Sequence, residues 1–511
     1  MSSAPHRHRG TVPLLLAACC LFAAAITASW SSAGTPPLRD ELRASFAADL
    51  RHVVMRWDEG DRRPAAVREQ ALFDFVYQTY DGSAWIPQSL FDANLAAQVI
   101  VGDIETIVRE RAGLVPWRGN HRVAAFGMAP DEGGRDAVRW TVNCLTCHTA
   151  EIDGVVYFGA GTKTFDDKWL GESLRSLTGP RWRALLVRNA GDLRSTADAH
   201  RILGNHHHEK IDSLTRGRST AFAASHVEFY MRPNGHRVPG VDEVGRGDVK
   251  TPPLWHTAAK MRAGRWYSDG SFRGDIPLMA SSMELKKDQS YDALVDVVIP
   301  RIKSEFDSVV RHLRPPPYPY AIDRALAERG KTLFNSESIG CSRCHGVYDG
   351  AGEVVWPGTH RDVGTDRARL DVVSTGFIAA FDASPLASSG ALVKSAGYAA
   401  TPLTGVWANF PYLHNGSVPT LHHLLGPVGE RPAIFEVMAA RSLDRDRVGQ
   451  RLFVDPKHSR STEEGLLRRF GSDRNWFNTA RPGSGNAGHD VWPLVKTDEN
   501  RRALIEYLKT L

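Results

Sequence analysis

The sequence predicts a mainly α protein built as two tandem units, with long loops and an N-terminal helical arm. Three observations carry that reading. The motif Cys-x-x-Cys-His occurs twice, at residues 144–148 and 341–345. The run Arg314-Pro315-Pro316-Pro317-Tyr318-Pro319 stands between the copies, and apolar residues recur at helical spacing on both flanks of the second copy.

The totals fit that architecture. A chain of 511 residues exceeds what one hydrophobic core ordinarily supports. Hydrophobic residues at 42% and charged residues at 24% match globular usage, which excludes a disordered, fibrous or multi-span membrane chain. A formal charge of +5 without a dense basic block argues against a nucleic-acid partner. Residues 1–33 read as a signal peptide: Arg7 and Arg9, an apolar run from Val12 to Ala28, then Ser31, Ser32 and Ala33. Cleavage there predicts a periplasmic or secreted protein with no stable membrane insertion. Leu16-Ala17-Ala18-Cys19 is the rival, lipoprotein-like reading of the same stretch.

Cysteine usage points to chemistry. Of six cysteines, Cys19 and Cys20 fall in the signal, and Cys144, Cys147, Cys341 and Cys344 are all consumed by the two motifs. On one helical turn, two thiols three residues apart can bond the two vinyl groups of a single porphyrin. The next residue, His148 or His345, then offers its imidazole to the iron. A zinc knuckle needs four ligands and no histidine at that fixed offset, so the motifs read as two covalently bound c-type haems. A structural calcium ion is carried as a further cofactor candidate.

The units follow in order. Residues 34–134 form the N-terminal helical arm or cap, with the apolar cluster Leu72, Phe73, Phe75 and Val76. Residues 135–314 form a first cytochrome c-like unit, 315–320 an extended proline-rich linker, and 321–511 a second. In the second, Ile322, Ala325, Leu326 and Leu333 predict a helix before the motif. Thr497 or Asp498 caps a C-terminal helix with the stripe Leu504, Ile505, Leu508 and Leu511, and the two helices should pack on each other. Thr251-Pro252-Pro253-Leu254-Trp255 with Trp266-Tyr267-Ser268-Asp269-Gly270-Ser271 parallels Thr401-Pro402-Leu403 with Tyr412-Leu413-His414-Asn415-Gly416-Ser417, a weak internal repeat. Gly159-Ala160-Gly161-Thr162-Lys163-Thr164 lacks the spacing of a phosphate loop, and His206, His207 and His208 read as a polar loop.

The two motifs, the Ala-x-x-Gly-x-x-Leu-Phe approach at residues 327–334, and Pro411-Tyr412-Leu413-His414-Asn415-Gly416-Ser417-Val418-Pro419-Thr420-Leu421 resemble the bacterial dihaem cytochrome c peroxidase superfamily. His-Asn-Gly-Ser-Val-Pro, with Asn486-Ala487-Gly488-His489, is most similar to its rubber-oxygenase branch. The resemblance implies that the haem on His148 reacts with peroxide or dioxygen while the haem on His345 relays or stores electrons. It implies His489 as second axial ligand of the relay iron, with His414 as runner-up and otherwise a haem-edge residue, and Met438 as a third candidate. Trp255, Trp266 and Phe272 fall where the family builds its distal pocket and inter-haem path. Residues 149–182 contain no histidine, which departs from the peroxidases; Met279 and Met283 are then candidate ligands of the first iron.

The expected activity is therefore a haem-dependent oxidoreductase, peroxidase-like, taking electrons from a small redox partner or electron donor protein. Oxidative cleavage of a hydrophobic polymer such as polyisoprene is the alternative of related chemistry. A dihaem electron carrier with both irons saturated is the alternative without catalysis.

Overall fold

The structure is a computed structural model that describes chiefly residues 50–77, 107–115, 139–169, 213–220, 247–264, 269–274, 299–349, 354–452 and 471–511, with strand pieces at 86–87 and 126–129. The signal segment, Trp266, Tyr267, Ser268, Met279, Met283 and the histidines 206–208 lie outside the described residues. The described fold is mainly helical, and its strands are two- to four-residue pieces paired in twos and threes.

Two helices frame the second motif. Arg324–Asn335 begins where the Asp323 carboxylate accepts the Leu326 amide, and it buries Ala327, Gly330 and Phe334 at helical spacing. Asp498–Lys509 is capped by the Thr497 hydroxyl, which accepts the Asn500 amide, and it buries Ala503, Leu504, Ile505, Tyr507 and Leu508. They cross where Gly330 has no side chain: a Cβ there would stand 1.9 Å from the Ala503 carbonyl oxygen. Phe334 meets Tyr507 edge-on at 5.2 Å, and Arg329 pairs with Glu499 at the rim. The short helix Ser342–His345 lies just beyond this crossing.

The N-terminal segment is wound into the first unit. Strand Val53–Val54 pairs in parallel with Val155–Phe158, and Arg56–Trp57 pairs antiparallel with Leu313–Arg314. Helix Ala65–Tyr77 buries Leu72, Phe73, Phe75, Val76 and Tyr77, with Phe75 against Phe158 at 6.1 Å. Burying each such side chain contributes about 1.5–3 kcal/mol, which holds the helix on the first unit.

The proline-rich segment runs beside the buried Trp407. The Pro316 carbonyl accepts Trp407 Nε1–H at 3.1 Å, and fully buried Trp407 lies between Tyr157 and Tyr318, edge-to-face with each. Prolines bring no N–H to satisfy, so an extended proline run can be buried at low hydrogen-bond cost. One continuous apolar cluster consequently runs from Leu72 through Trp255 and Trp407 to Leu508.

Candidate haem-binding sites

At the second motif, Cys341 and Cys344 are free thiols on one turn, and burial pushes the Cys341 thiol up to about 11. His345 Nδ1–H donates to the Thr401 carbonyl at 2.9 Å. That bond orients the ring and leaves Nε2 as the nitrogen with a free lone pair. Across from it stands His489, with ring centroids 6.1 Å apart and planes at 72°. Metal–imidazole bonds of about 2 Å on either side of an ion, with the ring radii added, span about 6 Å. Burial lowers the proton affinity of both rings, His489 to about 4, so each presents a neutral imidazole. The donor set fits a c-type haem: two thiols, one oriented imidazole and a second imidazole opposite.

His489 is held in a conformation that side chains rarely adopt. Its φ is +45°, next to Gly488 at +75°, where a Cβ would lie 2.3 Å from the Gly364 carbonyl carbon. Its amide donates to the Val363 carbonyl at 2.7 Å. Buried Arg431 donates to the carbonyls of Asn486 at 2.5 Å, Gly488 at 2.8 Å and His489 at 3.2 Å. Asn415 Nδ2 donates to the Gly483 and Gly485 carbonyls, so the two family-like motifs are physically joined. Non-glycine residues in this region occur where surrounding structure over-determines them.

At the first motif, the Asn143 side-chain oxygen accepts the Leu145 amide and its Nδ2 donates to the Val76 carbonyl at 2.6 Å. One side chain thus caps the Cys144–Cys147 turn and ties it to the N-terminal helix. Cys144 is buried and Cys147 half-buried. His148 leads straight into the hairpin of Thr149–Ile152 and Val155–Phe158, as His345 leads into the smaller hairpin of Val347–Tyr348 and Val354–Val355. Burial pushes His148 down to about 4, opposed by the Pro252 carbonyl and reinforced by the charge of Lys260. The Pro252 carbonyl lies close enough to exert that influence, yet Nδ1 makes no hydrogen bond of ordinary geometry among the described residues. In both halves, a Thr-Pro segment of the internal repeat therefore brings a backbone carbonyl to the motif histidine.

The repeat segments also meet each other. The Thr404 carbonyl accepts both Trp255 Nε1–H at 3.0 Å and His256 Nε2–H at 2.8 Å, three residues from the carbonyl that orients His345. Phe272 is fully buried, edge-to-face with Phe381, on a strand paired with Gly390–Leu392. Trp255 and Phe272 thus both lie at the junction of the halves. His414 stacks on Tyr398 at 3.9 Å, and burial lowers it to about 3. Met438 Sδ accepts from Arg216 at 3.5 Å, beside the Glu110 carbonyl that the same guanidinium reaches.

Sequence reasoning missed His256, Arg431 and a set of buried cations. Lys163 Nζ donates to the Ala408 and Phe410 carbonyls, Arg218 to those of Asn415 and Gly416, and Lys250 to that of Asn409. Arg369 Nε lies 3.1 Å from Asp269 Oδ2, with both side chains buried. Nothing in local charge pattern distinguishes these residues from exposed ones; His256, next to Trp255 in an apolar stretch, had the one readable signal. Among the described residues, no group of three or more His, Cys, Asp or Glu could hold a bare ion, calcium included. A haem iron needs only two side chains and is not subject to that count.

Residues 397–436 match the family described as "RoxA-like, cytochrome c-like". The chain is 43% identical over 123 residues to "Uncharacterized protein y4iJ" of Sinorhizobium fredii (strain NBRC 101917 / NGR234), covering 22% of this chain and 18% of that protein. It is 32% identical over 238 residues to "Uncharacterized protein y4iM" of the same organism, covering 39% of this chain and 51% of that protein. The chain thus spans about half, or less, of the curated relatives it matches. The family match takes in Thr401, whose carbonyl orients His345, and Arg431, which bonds the His489 loop, and a cytochrome c-like segment there implies c-type haem and a haem oxidoreductase.

Proposed function

We propose that the protein is an exported dihaem oxidoreductase, periplasmic or secreted, in which the haem on Cys144, Cys147 and His148 reacts with peroxide or dioxygen and the haem on Cys341, Cys344 and His345 relays or stores electrons. The observation that carries this reading is the pair His345 and His489, with ring centroids 6.1 Å apart, which together would hold the second haem. When bound, the first haem supplies an iron open to an incoming oxidant, with access and distal polarity deciding its reactivity. The chain's own residues orient and insulate: Thr401 fixes the His345 tautomer, Arg431 fixes the His489 loop, and Trp255 with Phe272 excludes water at the junction. Trp255 donates to the Thr404 carbonyl, three residues from the Thr401 carbonyl that accepts from His345. A small electron donor protein supplies the relay side.

The spelling His414-Asn415-Gly416-Ser417-Val418-Pro419 and the family match favour a second reading of the same chemistry, oxidative cleavage of a hydrophobic polymer such as polyisoprene. Absorption and EPR titration with cyanide tests both. One low-spin haem that ignores cyanide and one that binds it is the expected result. Two low-spin haems indifferent to cyanide would replace the enzyme with an electron carrier.

A further inference from the structure

Four aromatic side chains make a continuous line from the core to the surface. Tyr157 lies across the first hairpin from Ala150, two residues beyond His148. Its ring meets Trp407 edge-on at 5.4 Å, Trp407 meets Tyr318 at 5.6 Å, and Tyr318 meets Tyr320 at 5.6 Å. The first three are buried and Tyr320 is half-buried. All four are tyrosine or tryptophan, the aromatic residues that give up an electron most readily. The polar atoms along the line are not equivalent. Trp407 Nε1–H donates to the Pro316 carbonyl at 3.1 Å and Tyr318 Oη–H to the Arg445 carbonyl at 3.3 Å, and a backbone carbonyl is too weak a base to take a proton. Tyr320 Oη–H instead donates to Asp153 Oδ2 at 2.5 Å, the length of a charge-assisted bond. That carboxylate is exposed at the tip of the hairpin that carries Tyr157, and it is aimed: the Leu443 amide donates to Oδ1 at 3.0 Å, and the Asp153 amide donates to the Arg441 carbonyl at 2.8 Å. A tyrosine loses an electron easily when its phenolic proton leaves with it, so a fixed base at hydrogen-bond distance makes Tyr320 the place where an oxidising equivalent comes to rest.

We propose that Tyr157, Trp407, Tyr318 and Tyr320 conduct oxidising equivalents outward, and that Tyr320 is a surface site at which a phenol-class one-electron donor is oxidised. This rests on the reading of the first haem as the site that reacts with peroxide, which is the oxidant. At Tyr320 the O–H bond breaks: one electron passes inward along the line and the proton goes to Asp153, leaving a neutral tyrosyl radical beside a carboxylic acid. A phenol then returns one electron to Tyr320, which takes its proton back from Asp153, while the phenol's own proton goes to water. Two such passes supply the two electrons that, with two protons, reduce hydrogen peroxide to two waters. In sum, one peroxide and two phenols become two waters and two phenoxyl radicals.

The test mixes the full-length holoprotein with hydrogen peroxide and follows the Soret bands, the EPR signal of a tyrosyl radical, and its covalent capture by a nitroso spin trap mapped by peptide mass spectrometry. Wild type is compared with Tyr320→Phe, Tyr318→Phe and Asp153→Asn. Each variant keeps the shape of what it replaces, and asparagine tolerates the φ of +51° at position 153. The expected result is capture at Tyr320 in wild type and none at that position in Tyr320→Phe. Tyr318→Phe should nearly abolish capture at Tyr320, and Asp153→Asn should slow it on the order of a hundredfold, the lower end of what a positioned base contributes. Oxidation of added guaiacol should fall in step, while the Soret response to peroxide persists in all three. A Soret response with the trap on other residues and none on Tyr320 overturns the line. So does capture at Tyr320 that Tyr318→Phe leaves unchanged, because the oxidising equivalent then arrives by another route. Soret bands that ignore peroxide would instead sink the reading of the first haem, and with it the oxidant that the line needs.

Discussion

Arg431 makes the clamp on the His489 loop measurable. Replacing it with methionine keeps much of its apolar stem and removes the guanidinium. Three of its bonds have good length, 2.5, 2.8 and 3.2 Å to Asn486, Gly488 and His489, while those to His423 and Leu424, at 3.4 Å, are weak. Charge-assisted bonds contribute about 1.5–3 kcal/mol each, and removing the buried charge returns part of its desolvation cost, leaving a net loss of about 3 kcal/mol. Releasing the left-handed backbone of His489 adds a further drive of about 1–3 kcal/mol toward opening. A change of that size shifts the closed-to-open ratio by roughly two powers of ten or more. The low-spin signal assigned to the His345 haem should therefore convert largely to high-spin, by absorption and EPR, and added imidazole should restore it. A lower melting temperature with the low-spin signal fully kept would refute the reasoning, because His489 would then be held by something other than this loop.

The mature protein should weigh two haems more than its polypeptide by intact mass, with one lost in Cys144→Ala/Cys147→Ala and the other in Cys341→Ala/Cys344→Ala. Gly330→Ala sets a Cβ 1.9 Å from the Ala503 oxygen, so the helices must separate; denaturant titration should register a loss of about 1–3 kcal/mol. Asn143→Ala removes a cap and the tie to Val76 together, and should cost about 1–2 kcal/mol while lowering the yield of the first haem preferentially. His414, lowered from 6.5 to about 3 by burial, stays neutral in the fold while the unfolded chain takes up a proton. Stability is then fully present above pH 6.5 and declines as pH falls toward 3, and His414→Phe, which retains a ring against Tyr398, should flatten that decline in urea titrations at several pH values. The flattening is partial, since burial lowers His256 and His423 to about 3 as well. An unchanged slope would mean that His414 is solvated in solution.

Covalent spacing and periodicity by themselves determined a good deal. Cys-x-x-Cys-His confines two thiols and an imidazole to one turn, so both candidate attachment sites were legible without a fold. The helix Asp498–Lys509 was legible because Leu504, Ile505 and Leu508 recur with the helical period and its cap is local in sequence; the helix Arg324–Asn335 was legible in position, but it buries Ala327, Gly330 and Phe334 while Ala325 is exposed and Leu326 and Leu333 only half-buried. The Thr-Pro repeat was readable as a repeat, but not as a pair of backbone carbonyls set beside His148 and His345, because a carbonyl leaves no trace in residue identity. Only tertiary structure brings the His489 ring to 6.1 Å from His345, since that approach depends on a left-handed turn held by Arg431 from 58 residues away. It likewise decided that Pro316 and Tyr318 of the proline run are buried while Pro317 and Pro319 stay exposed: Trp407 finds its partners in Tyr157 and Tyr318, and burial is a property of where distant segments meet. The buried lysines make the same point most sharply, because a charged side chain reads as solvent-facing until the fold surrounds it, and the partner of Lys163 and of Lys250 is a distant backbone carbonyl that the neighbouring sequence does not encode.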